Sequence, residues 1–295
     1  MIELLGHKRS FMKSVFLIIN YNDVETTMSL IENIKGYACL DLIVVLDNMS
    51  TDDSYRILKK YCCSHIHVIQ SEANKGYAYA MNYGCKYLIN LFGDCNIIVS
   101  NADIVINREE DILRLIHTKT DEMAILAPVI REHDGVSRGW KIPTPFQDSL
   151  LNLVYVHRFL KPKLLYYPDE YYQNKELVEV ECILGCFFMI DSRYLEKAGF
   201  FDENTFLYYE ENIMAKKLKD IQAKTMICCE VQVFHNHSVS IDKSVSRLNK
   251  YVALKTSQYY FQKHYNHANV FECFLLRFTY WFSYGIFKII YSLKG

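Results

Sequence analysis

Short apolar runs alternate along this chain with segments of helical periodicity, and that alternation sets the fold. Ser14 to Ile19 is a nearly unbroken apolar run of strand length, the pattern of a strand buried on both faces. It stops on the polar turn Asn20-Tyr21-Asn22-Asp23, where Asp23 is placed to cap a helix reaching about Lys35. Asp41 to Leu46 repeats the run and ends on a loop dense in Asp, Asn, Ser and Thr, Asp47 to Ser54, which opens a helix to about Tyr61. His65 to Gln70 is a third strand, followed by Asn74-Lys75-Gly76 and a helix from Tyr77 to about Leu91. A fourth strand, from Ile97, delivers Asn101 and Asp103 to its end. Four strands joined by three helices with short connections predict a parallel sheet with right-handed crossovers. The carboxyl ends of such strands share one edge, so the turns at Asn20, Asp47 and Asp103 should meet in space.

Beyond Asp103 a helix follows from Arg108 to Lys119, then a strand, Met123 to Ala127, closed by Pro128. Residues 131–178 are the least regular part, holding Pro143, Pro145, Pro162, Pro168 and the tyrosines 166, 167, 171 and 172. An irregular stretch this long inside a domain reads as a functional loop or lid. Order returns from Val178 to Ile190, then a short helix from Ser192, the turn Gly199-Phe200-Phe201-Asp202, and a helix from Phe206 to about Asp220. Strand segments from Lys224 and Val231 bring His235 and His237 back to the same edge. From Lys243 the pattern is helical, and Val270 to Leu293 is mostly apolar. A membrane span needs roughly 20 largely uncharged residues. Arg277 and Lys288 interrupt the tail, which with Tyr280, Trp281 and Tyr284 fits a helix lying in a membrane interface.

Composition narrows the function classes. A chain with 51% hydrophobic and 23% charged residues forms a core, and a net charge of −1 gives no basic field for nucleic acid. No G-x-G-x-x-G follows the first strand and no phosphate-binding lysine loop is present, which disfavours dinucleotide dehydrogenases and P-loop kinases. The ten cysteines do not follow zinc-ribbon or disulfide-scaffold spacings, and no signal-peptide pattern precedes Lys13. Both point to a reducing, cytoplasmic location.

Polar residues in turns are weak evidence singly, but their ordered series is specific. Ile18-Ile19-Asn20-Tyr21-Asn22, Val45-Leu46-Asp47-Asn48-Met49-Ser50-Thr51-Asp52, and Asn74-Lys75-Gly76 with Asn82 and Gly84 come first. Ser100-Asn101-Ala102-Asp103, Leu184-Gly185-Cys186, Gly199 to Asp202, Phe206 to Glu211, and Val233-Phe234-His235 follow. Over roughly residues 14–240 this series resembles the family 2 glycosyltransferases of GT-A fold, in particular their bacterial rhamnosyltransferase-like branch.

The resemblance implies an α/β fold of GT-A type, a mostly parallel central sheet flanked by helices, with a C-terminal helical appendage. Residues 1–240 would form the transferase domain, 14–105 its nucleotide-sugar half and 106–240 its acceptor half, with 241–295 helical and membrane-associating. Asn20, Tyr21, Asn22, Asp47, Asn48, Asn74, Gly76, Asn82, Asn101 and Asp103 would bind the donor, Asp47 through the base. Asp103, with His235, would hold a divalent metal, Mn2+ or Mg2+. Asn101 departs from the family's D-x-D motif, and a neutral amide is a weaker ligand for a hard cation. Glu211 is the expected base, with Glu210 the alternative. The implied reaction is inverting transfer from dTDP-rhamnose or a UDP-hexose to a surface polysaccharide or a lipid-linked saccharide, at the inner face of the plasma membrane. A catalytically silent carbohydrate-binding protein of the same fold and a nucleotidyltransferase are the competing classes.

Overall fold

The computed structural model describes residues 12–133, 135–236 and 247–292. β1 (Lys13–Asn20), β2 (Leu42–Asp47), β3 (Ile66–Gln70) and β4 (Cys95–Asn101) are linked by α1 (Val24–Ile34), α2 (Ser54–Leu58) and α3 (Tyr77–Phe92). They pair in parallel in the order β3-β2-β1-β4. Successive side chains point to opposite faces of a strand. Val15, Leu17 and Ile19 therefore join one core with α3, while Phe16 and Ile18 join another with α1. Burial on both faces is why β1 reads as an apolar run rather than an alternation. Asp23 occupies the N-cap position of α1 but makes no side-chain cap bond; its carboxylate accepts instead from the Thr26 hydroxyl at 2.8 Å.

Beyond β4 come β5 (Ile104–Val105), α4 (Glu109–Thr118), β6 (Met123–Glu132) and β7 (Gly135–Ser137). Then follow α5 (Pro145–Leu151), α6 (Val154–Leu165), β8 (Leu177–Glu179), β9 (Phe187–Asp191), α7 (Ser192–Lys197), α8 (Glu210–Asp220) and β10 (Lys224–His235). β9 inserts antiparallel between β4 and β6, and the order continues β9-β6-β10-β5. The sheet is thus parallel in its first half and mixed in its second. One sheet runs through the segments assigned to donor and acceptor.

Three local readings change. Pro128 does not close β6, which continues to Glu132. Proline brings the ladder no N–H, and β10 shifts register opposite it, between Cys228 and Gln232. Residues 131–178 are not a loop throughout: Thr144 closes a capping box on α5 with Pro145 in its first turn, and α6 continues through Pro162. The helix expected from Phe206 starts at Glu210, because Tyr208 and Tyr209 are both left-handed, at φ 71° and 68°.

The C-terminal helices, α9 (Arg247–His264) and α10 (Val270–Ser292), are built into the body rather than appended. Phe261 is fully buried and packs against Tyr209 at 5.5 Å between centroids. Tyr260 and Tyr265 donate to Asp202 Oδ2 at 2.9 and 2.5 Å. On α10, the Ser283 hydroxyl donates to the carbonyl of Asn152, just after α5, at 2.6 Å. The boundary expected near residue 241 lies outside the described residues, as does His237. All ten cysteines are free thiols. Among the described residues no helix is long and apolar enough to cross a membrane.

Candidate active site

The ends of β1, β2 and β3 stand side by side, with Asn20 in register with Asp47 and Asp47 with Gln70. Asp47 is fully buried, and both its oxygens are engaged. Oδ1 accepts from Asn20 Nδ2 at 2.8 Å and the Ser50 hydroxyl at 2.6 Å. Oδ2 accepts from Ser50 N–H at 3.0 Å and Gln70 Nε2 at 2.9 Å. Asn20, also fully buried, accepts from Thr27 at 2.7 Å, so α1 is tied to the same knot. The polar loop read as a binding surface is therefore first a folded structure, closed over its own carboxylate.

Asn22 is left-handed and holds Thr51 through both ends of its amide, at 2.8 and 3.0 Å. Tyr21 lies half-buried beside it. Asn48 donates to Asn74 at 3.1 Å, and Asn74 accepts in turn from Gly76 N–H at 3.1 Å. Asn82 sits apart from this shelf: its Nδ2 donates to Phe201 O at 2.9 Å and Glu203 Oε1 at 2.7 Å, and its Oδ1 accepts from Phe201 N–H at 2.9 Å. Its amide brackets the turn after Gly199.

Two contacts bring the second half of the chain onto this shelf. Gly76, at φ 104°, lets the Phe206 carbonyl approach so closely that a Cβ there would stand 2.2 Å from its oxygen. Tyr77 N–H donates to that same oxygen at 3.0 Å. The Tyr77 hydroxyl donates to Asn101 Oδ1 at 2.6 Å and also reaches the Gly185 carbonyl at 3.1 Å. Asn101 is thus turned toward a phenol, with its own N–H bonded to Cys186 O at 2.8 Å.

Asp103 and His235 come together through the pairing of β5 with β10. His235 Nε2 stands 3.2 Å from Asp103 Oδ1, an ion-pair contact short of a well-aligned hydrogen bond to this buried oxygen. His235 Nδ1 lies 3.3 Å from Glu132 Oε1. Burial opposes charge on this ring, but the Asp103 carboxylate and the Cys186 thiol prevail and hold its pKa up to about 11. At neutral pH it is an imidazolium between two carboxylates. Among the described residues no group of three or more His, Cys, Asp and Glu is arranged to hold a metal.

The acidic pair opens α8. Glu211 Oε1 accepts from Gly185 N–H at 3.2 Å. Glu210 is buried, and its Oε2 has no hydrogen-bond partner. Burial raises both carboxyls, and the charge of Glu211 pushes Glu210 further, well above the ordinary carboxylate range. The upward push is the greater at Glu210, while Glu211 has a backbone donor on one oxygen that favours its charged form.

Residues without a signal in the sequence hold this pair in place. The Tyr209 hydroxyl donates to buried Asp148 Oδ2 at 2.9 Å, Gln262 Nε2 donates to the same oxygen at 2.6 Å, and Gln258 Nε2 reaches the Tyr209 hydroxyl at 3.0 Å. Ser257 of α9 bonds the Leu207 carbonyl at 2.8 Å. Asp148 and the α9 glutamines lie far from Glu211 in the chain, in segments of no recognisable motif. Tyr77 was within reach of the sequence, as the residue directly after Asn74-Lys75-Gly76.

Gly185 offers a direct test of this geometry. A Cβ on Gly185 would lie 2.6 Å from Glu211 Oε1 and 2.8 Å from its Cγ. The obstructed atoms are the end of a flexible side chain, so Gly185→Ala should leave the melting temperature nearly unchanged and displace the carboxylate. A displacement of about 1 Å costs roughly a hundredfold in rate. Kinetics of Gly185→Ala alone and combined with Glu211→Gln check this: the double variant should be no slower than Glu211→Gln.

Comparison with known proteins follows the same outline. Residues 15–199 match the family model described as Glycosyl transferase family 2. The low-salt glycan biosynthesis hexosyltransferase Agl10 of Haloferax volcanii is 29% identical over 240 residues, 80% of this chain and 71% of that protein. The chain is similar in structure to GalNAc-T7 solved with UDP, GalNAc and Mn2+, at TM-score 0.61 and 15% identity, covering 88% of this chain and 50% of that one. It is also similar to the mannosyltransferase PcManGT from Pyrobaculum calidifontis in complex with GDP-Man and Mn2+, at TM-score 0.56 and 12% identity, covering 96% and 76%. S. aureus TarS 1-349 with UDP-GlcNAc gives TM-score 0.56 at 15% identity, covering 90% and 70%. At these identities the structural likeness establishes the GT-A fold. The chain spans half the length of the GalNAc-T7 chain, and none of the proteins named here is called a rhamnosyltransferase.

Proposed function

The chain belongs to glycosyl transferase family 2, and we propose that it moves a sugar with inversion from a nucleotide-diphosphate donor to a surface polysaccharide or a lipid-linked saccharide. Glu211 carries this reading: a carboxylate held at the start of α8 by the Gly185 N–H is placed as a general base requires. It would accept the proton of the acceptor hydroxyl as that oxygen bonds the anomeric carbon. The bond from that carbon to the diphosphate breaks, and the nucleoside diphosphate leaves with the electron pair.

The donor lies along the ends of β1, β2 and β4. Tyr21, Asn22 and Asn48 line the nucleotide side, and Asn74 and Gly76 hold its floor. Asp47 shapes the base site through Ser50 and Gln70, and reaches a base only where one of those donors yields. Tyr77 holds the amide oxygen of Asn101 in a hydrogen bond. A six-carbon sugar donor is supported by the 29% relative, named a hexosyltransferase.

A divalent cation, Mn2+ or Mg2+, suits Asp103, whose buried Oδ1 meets the His235 ring without a well-aligned hydrogen bond, with His235 joining once it gives up its proton. Bound there, it would offset the charge growing on the leaving diphosphate. Among the described residues this pair, and no closed cage of ligands, is what the chain supplies. The site belongs at the inner face of the plasma membrane if the acceptor is lipid-linked.

A thermal-shift panel of UDP, dTDP, GDP and CDP, each with and without Mn2+, tests the donor assignment. A ligand at a hundredfold excess over its Kd stabilises the folded state by about 2.7 kcal/mol. One nucleotide should raise the melting temperature in a metal-dependent way, and Asp103→Asn should abolish the metal dependence. A flat response to all four removes the donor assignment.

A further inference from the structure

α10 turns one side to the protein and the other to solvent. Leu276, Thr279 and Ser283 are buried on its inner side, where Asn152 Nδ2 donates to Thr279 at 3.2 Å. Tyr280 and Phe287 stack on Tyr251 of α9 at 6.0 and 5.4 Å. On the outer side Phe271, Phe274, Phe278, Trp281, Phe282 and Ile289 are each more than half exposed. Phe274, Phe278 and Phe282 stack on one another along the helix, at 6.2 and 6.5 Å. A stripe of this kind is far beyond the scattered apolar residues normal on a soluble surface.

α6 carries a second such face, unsuspected from the irregular sequence around it. Tyr155 and Phe159 are exposed at 80% and 70%, next to Arg158 and Lys163. α5 packs against both α6 and α10, so the two helices belong to one corner of the molecule. Charge separates this corner from the rest of a chain whose net charge is −1. α6 holds Arg158, Lys161 and Lys163 and no acid. α10 holds Arg277 and Lys288 against Glu272 alone, and Glu272 is occupied in accepting from Asn269 N–H at 2.8 Å.

We propose that α6 and α10 dock the enzyme on an anionic lipid surface, the aromatic rings entering the headgroup region and the cations meeting lipid phosphates. Exposed aromatics with interleaved cations are the composition of interfacial helices. Crossing the bilayer is a different matter: α10 would have to leave its contacts with α5 and α9 and carry Arg277 with it. Docking deepens the lipid-linked acceptor assignment and takes its purpose from it, but lipid binding is measured without donor or acceptor, so the two can fail separately.

The experiment is co-flotation of the full chain with vesicles of phosphatidylglycerol and phosphatidylcholine, against phosphatidylcholine alone, at low and high salt. Binding should need the anionic lipid and weaken with salt. Phe278→Asp, on the exposed side, should weaken it by about tenfold or more with an unchanged melting temperature. Arg158→Glu with Lys163→Glu should weaken it separately, while transfer to a short water-soluble acceptor stays at the level of the unmodified chain. Failure to float with anionic vesicles overturns the proposal, as does equal flotation of Phe278→Asp. So does a dimer in light scattering that Phe278→Asp dissociates, which would make this face a contact between copies of the chain.

Discussion

Glu211→Gln should lower turnover by about 10² to 10⁴, the usual contribution of a positioned base, and leave donor affinity and melting temperature close to those of the unmodified protein. Gln keeps the shape of the side chain and still accepts from Gly185 N–H, so the substitution removes proton affinity and little else. Glu210→Gln makes the contrast. Burial and the charge of Glu211 both favour the neutral form of Glu210, so a neutral amide there should cost far less. The pH profile carries the sign. Glu211 acts ionised and burial raises its pKa. Activity should therefore climb as pH rises through a value above the ordinary carboxylate range, then level off. A Glu211→Gln enzyme that keeps full turnover would falsify the base assignment; if Glu210→Gln proves the slower of the two, the roles are reversed.

Gly76→Ala should be the most damaging small substitution for the fold. A non-glycine residue at φ 104° is strained, and the new methyl would meet the Phe206 backbone, which has no rotamer to escape into. Strain and overpacking together cost about 3 kcal/mol. For a chain of this size that is a fall of roughly 5 °C in melting temperature. Gly93→Ala is the control: its φ is 69°, but nothing lies within 4 Å of the added atom, so only the conformational part remains. Thermal melts of both separate the two contributions. If Gly76→Ala melts no lower than Gly93→Ala, the close approach of Phe206 to α3 is not what holds the halves together.

The first four strands were legible because both their faces are buried and each ends on a polar turn. Apolar runs at short spacing leave few other arrangements for such a segment. The second half was less legible for a topological reason. β9 has the same apolar character as a parallel strand, and nothing in Phe187 to Asp191 tells that it enters the sheet antiparallel between β4 and β6. Pro128 misled because a proline usually ends a strand, whereas β10 shifts register opposite it.

The site divides in the same way. Asn20, Asp47, Asp103, Glu210 and Glu211 stand near strand ends or a helix start, where the sequence placed them. What the sequence withheld is which atoms are already engaged: the four donors on Asp47, the phenol on Asn101, the imidazolium against Asp103. Such partners come from elements far apart in the chain and have no local pattern.

The link from Tyr209 through Asp148 to Gln258 and Gln262 also sets an order of assembly during synthesis. A ribosome adds roughly 5–20 residues per second. The ends of β1 to β4 emerge many seconds before the two glutamines of α9 can reach Tyr209 and Asp148. A nascent chain therefore makes the polar strand ends of the parallel half before it can make the contacts that fix the start of α8.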